Sequence, residues 1–69
     1  MRFTIETDRK ADGRWIAEIL DLPGVIVYGD TREEAVARVQ ALALHVVADR
    51  IEHGERPTGT VDISFSAAA

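Results

Sequence analysis

Apolar and polar residues alternate over the opening of the chain, Phe3 and Ile5 in one phase and Thr4 and Glu6 in the other. That period of two predicts a half-buried strand over about residues 2–7. A charged stretch from Asp8 to Arg14 reads as a turn. It closes on Asp12-Gly13, a hairpin signal because glycine takes the positive φ that such turns need. In the second alternating run, about 15–20, Trp15, Ala17 and Ile19 share one face and Ile16, Glu18 and Leu20 the other. Leu22-Pro23-Gly24 breaks that run, and a short β-branched strand follows over about 25–28.

The period then changes. Thr31-Arg32-Glu33-Glu34 fits a capping box, with the threonine hydroxyl on a free amide of the first turn and Glu34 reaching back. A helix is expected over about 31–53, ended by Gly54 as a left-handed cap, with Pro57 preventing its resumption. At 100° per residue Ala35, Val36, Val39, Leu42, Ala43, Val46 and Val47 fall in one arc, the face to be laid on a sheet. Glu34, Arg38, His45, Asp49 and Glu52 make a solvent face, and Ala37, Ala41, Leu44, Ala48 and Ile51 a second, small-residue flank. After a loop over residues 55–59, Val61, Ile63 and Phe65 alternate with Asp62, Ser64 and Ser66, predicting a fourth strand over about 60–66 and a frayed tail over 67–69.

These elements define an α+β fold, β-β-β-α-β. It is an antiparallel meander, then a helical crossover to a last strand parallel to the third or the first. One domain is expected over 1–69, and nothing in it repeats or resembles a linker. One helix covers one face, so Ile16 and Leu20 on the other face are left without cover.

Composition narrows the function. With 69 residues the buried fraction is small and stability marginal unless a partner or a second copy supplements the core. The absence of cysteine removes disulfides, thiolate chemistry and most structural zinc sites. A net charge of -4 opposes the Lys/Arg-rich footprint of a phosphate-gripping domain and favours a basic protein partner. No apolar run approaches a membrane span or a signal peptide, so a cytoplasmic protein is expected.

Candidate chemistry is sparse. Asp21-Leu22-Pro23-Gly24 reads either as a rigid loop presenting a carboxylate or simply as a turn. The helix start at Gly29-Asp30-Thr31 has free amides for an anion, but Asp30, Glu33 and Glu34 oppose one, so capping is favoured. His45 and His53 point roughly 80° apart and read as surface residues, His45 paired with Asp49. Glu6 and Glu18 are potential neighbours across the first hairpin, but with Asp49 on the helix and only Asp62 on another strand, no two-metal carboxylate cluster is expected. With no nucleophile–base pair either, the reading is non-catalytic, with no metal and no cofactor. Trp15 is assigned to the core, and Tyr28, at a strand end, is the exposed aromatic.

The order of these features resembles the N-terminal domain of HicB-type antitoxins. It rests on Gly13-Arg14-Trp15-Ile16-Ala17-Glu18 leading into Asp21-Leu22-Pro23-Gly24, on Tyr28-Gly29-Asp30-Thr31 with Glu33-Glu34-Ala35, and on Glu52-His53-Gly54-Glu55. The resemblance implies a truncated RNase H-like sheet with its helix, and binding and neutralisation of a small basic HicA-type mRNA-cleaving toxin. Members of that family commonly carry a C-terminal DNA-binding segment. The chain stops at the fourth strand, so direct operator binding is not expected. Asp21, Tyr28 and Asp30 are the candidate partner contacts, and a homodimer or higher homo-oligomer is expected. The alternative is a self-assembling structural module with no toxin partner.

Overall fold

A computed structural model describes residues 1–54 and 59–68. The chain runs β1 (Arg2–Arg9), β2 (Trp15–Ile19), β3 (Ile26–Gly29), α1 (Arg32–Glu52), β4 (Ser64–Ala67), the α+β order read from the alternation. The sheet order is β3-β2-β1-β4. β1 and β2 pair antiparallel, as do β2 and β3, and β4 lies parallel to β1, which decides between the two neighbours open to it.

β1 runs two residues beyond its expected end because the turn is shorter than the charged stretch suggested. Lys10 and Arg14 close it: Gly13 N–H donates to the Lys10 carbonyl at 2.9 Å and Lys10 N–H to the Arg14 carbonyl at 2.7 Å. Gly13 takes a φ of 91°, the left-handed step that returns a three-residue hairpin loop to its strand. Asp12 supports the bend, its carboxylate accepting from Arg14 N–H at 3.1 Å and from Arg14 Nε at 2.9 Å.

The core is formed where the apolar phases of the strands meet the helix arc. Phe3, Ile5, Ala17 and Ile19 are buried from the sheet, and Ala35, Val39, Ala43 and Val47 from α1. Trp15, Val36, Leu42 and Val46 are half-buried against them. The break after β2 does more than turn the chain. Leu22 and Val25 are both buried, joined by a hydrogen bond from Val25 N–H to the Leu22 carbonyl at 3.1 Å, so the loop closes one end of the core with two apolar side chains.

Thr31 caps α1, its Oγ1 accepting from Glu34 N–H at 3.1 Å. The reciprocal half of the capping box is replaced: the Glu34 carboxylate pairs instead with Arg38 at 2.7 Å, one turn along. At the far end Gly54 has the positive φ expected after the C-cap residue His53. Asp49 pairs with His53 at 3.1 Å, not with His45 as the spacing suggested, since the cap brings the His53 ring back over the last turn.

β4 begins later than expected and ends later. Its first rung sets Ser64 opposite Arg2, and Ala68 N–H still donates to the Ile5 carbonyl at 2.8 Å. Ala67 and Ala68 therefore belong to the ladder rather than to a frayed tail. Phe65 sits opposite Phe3 with ring centroids 5.8 Å apart. The expected loop over residues 55–59, with the Pro57 stop, falls largely outside the described residues, as does Ala69.

Candidate protein-binding face

Only one face of the sheet carries the helix. On the other, alternation directs Arg2, Thr4, Glu6 and Asp8 from β1, Ile16 and Glu18 from β2, and Ile26 and Tyr28 from β3. Ile26 and Tyr28 are 44% and 43% exposed, and Leu20, just past β2, is 64% exposed. Across the strands the rungs read Asp8, Ile16, Tyr28 and then Glu6, Glu18, Ile26. The face is thus apolar along β3 and, along β1, basic at Arg2 and acidic at Glu6 and Asp8, with β2 carrying one apolar and one acidic residue.

Glu6 stands directly opposite Glu18. Like charges in that position oppose sheet formation by roughly 0.2–1 kcal/mol, so the pair is tolerated by the fold, not used by it. Among the described residues no third His, Cys, Asp or Glu joins them in a group able to hold a metal ion. Glu6 is exposed and Glu18 half-buried, side by side on this face.

The apolar end has its own charge. The Arg14 guanidinium lies over the Tyr28 ring, 4.6 Å from its centroid, at cation–π distance. Arg14 is oriented in turn by Asp12, whose carboxyl is held below its ordinary range first by the Arg14 backbone N–H and then by the Arg14 side chain. Tyr28 is therefore presented to solvent as a ring braced by a hairpin, and its carbonyl receives Arg38 Nη1 at 2.8 Å.

The three residues singled out from the sequence are not brought together. Asp21 and Asp30 are both exposed but stand at opposite ends of β3, whose four residues span roughly 13 Å at ~3.3 Å each. Of the three, Tyr28 alone projects from the open face. The carboxylates that do share it are Glu6, Asp8 and Glu18; in sequence Glu6 and Glu18 read only as possible metal ligands and Asp8 as part of the turn. The signal that marks them as a surface is phase: the polar phase of the first strand meets the non-core phase of the second.

No helix among the described residues is long and apolar enough to cross a membrane. Comparison of the chain with protein-family models, with curated proteins and with solved structures finds no match.

Proposed function

We propose that this chain is a non-catalytic protein-binding module, an antitoxin of the HicB type, whose open sheet face receives a small basic HicA-type toxin. The observation that carries the reading is the pairing of Glu6 with Glu18 beside Asp8, next to the exposed Ile26 and Tyr28. A surface of this composition suits a partner that sets an apolar side chain on Ile26 and Tyr28 and lysines or arginines on the carboxylates. Such complementarity governs the rate and selectivity of association more than raw affinity, and it is screened by salt. The net charge of -4 works in the same direction over longer range.

The test is co-expression with a small basic protein encoded beside this chain in its host. The expected outcome is relief of growth arrest and a complex whose affinity falls as salt rises. Replacing Glu6 and Glu18 together by Gln should then weaken it by roughly tenfold or more, which is about 1.4 kcal/mol. No such neighbour and no rescue of growth would end the antitoxin reading. A complex indifferent to both salt and the Gln pair would remove the open face from it.

A further inference from the structure

We propose that two copies of this chain join through the outer edge of β4, antiparallel about a two-fold axis, so that their sheets become one. This goes beyond the partner-binding role and does not depend on it.

The sheet has two outer edges, β3 and β4, and they are not equivalent. Ile19 N–H donates to the Val25 carbonyl at 3.1 Å, which fixes the alternation of the β2–β3 ladder and turns the N–H and C=O of Ile26 and Tyr28 outward. Two of these groups are already engaged. Ile26 N–H donates to the Gly24 carbonyl at 3.1 Å, and the Tyr28 carbonyl takes the Arg38 guanidinium at 2.8 Å. A folded-back loop and a cation on a short edge are what keep such an edge from pairing.

β4 has neither device. Ser64 N–H donates to the Met1 carbonyl at 2.9 Å and Ala68 N–H to that of Ile5 at 2.8 Å, so the even positions face β1 and Phe65 and Ala67 turn N–H and C=O outward. The strand reads Ser-Phe-Ser-Ala, without charge or proline, and among the described residues no strand lies beyond it. Among the described residues no side chain bonds to those outward groups.

The chemistry of the surface selects a second copy. Two molecules that stacked their open faces would take Glu6, Asp8 and Glu18 out of water together with Arg2 and Arg14, and burying charged groups is costly. The uncharged β4 edge is where they approach without that cost. A two-fold axis beside Ser66 sets Phe65 opposite Ala67 of the second copy, large against small, each residue both donating and accepting.

Sedimentation equilibrium on the full chain tests this. The expected result is twice the 7.6 kDa mass at micromolar concentration, falling on dilution. Ala67→Pro removes an outward N–H that β1 does not use, and Ser66→Lys sets a charge against itself at the axis. Each should raise the dissociation constant by roughly tenfold or more with helical circular dichroism retained. Ile26→Lys, on the opposite edge, should leave the mass unchanged. A monomer throughout the range, a dimer that persists in both β4 variants, or one lost in Ile26→Lys would each overturn the proposal.

Discussion

Gly29, the last residue of β3, packs its backbone against the first turn of α1. A Cβ built there would lie 2.6 Å from the Ala35 backbone nitrogen, and backbone cannot swing aside as a side-chain tip can. Gly29→Ala should therefore destabilise the fold by about 1–3 kcal/mol, read as a lower urea midpoint at unchanged slope. The opposite case at the same scale is Asp12, fully exposed and important only to its own turn. Its carboxyl is depressed by the Arg14 backbone N–H and then by the Arg14 side chain. A depressed folded-state value means the contribution is present above the unfolded-state pKa and is lost as pH falls through the folded one. NMR titration of the Asp12 carboxyl carbon should give a lower midpoint in the folded chain than in urea. Arg14→Gln should move it only part of the way back, because the backbone donor remains.

At the scale of elements, burial recurs every fourth residue along α1, at Ala35, Val39, Ala43 and Val47. Val39→Ala removes two methyl groups from a fully buried site and should cost about 2 kcal/mol, whereas His45→Ala, on the exposed face, should stay within about 0.5 kcal/mol. Urea denaturation of the two variants side by side checks the orientation of the helix on the sheet. The periodicity made that orientation legible before any coordinates, because the 3.6-residue repeat and the buried arc are the same fact. Strand ends were less legible. They depend on where a partner strand begins, as the Arg2–Ser64 rung shows for β4, and not on the strand's own alternation. The core role of Leu22 and Val25 was hidden for a related reason. Proline and glycine announce a turn but say nothing about which side chains the turn directs inward. The carboxylate surface was half visible: Glu6 and Glu18 could be placed on one hairpin, but their joining to Ile26 and Tyr28 required the order of the strands.

For the whole molecule, the thinnest dimension is 16 Å, which is one sheet and one helix and no third layer. All four largest fully buried side chains, Ile5, Ile19, Val25 and Val39, lie in that single seam. Two layers with one seam leave one sheet face without a helix, charged at Arg2, Glu6, Asp8, Arg14 and Glu18, and an outer β4 edge that carries no charge. The parallel pairing of β1 with β4 also orders events in time. The meander and the helix are built from near neighbours in the chain, but Arg2 meets Ser64 across 62 positions (64 − 2), a far longer loop than either hairpin closes. On a chain made from its N-terminus, β1 can therefore have only β2 beside it in the sheet until Ser64–Ala67 has been made.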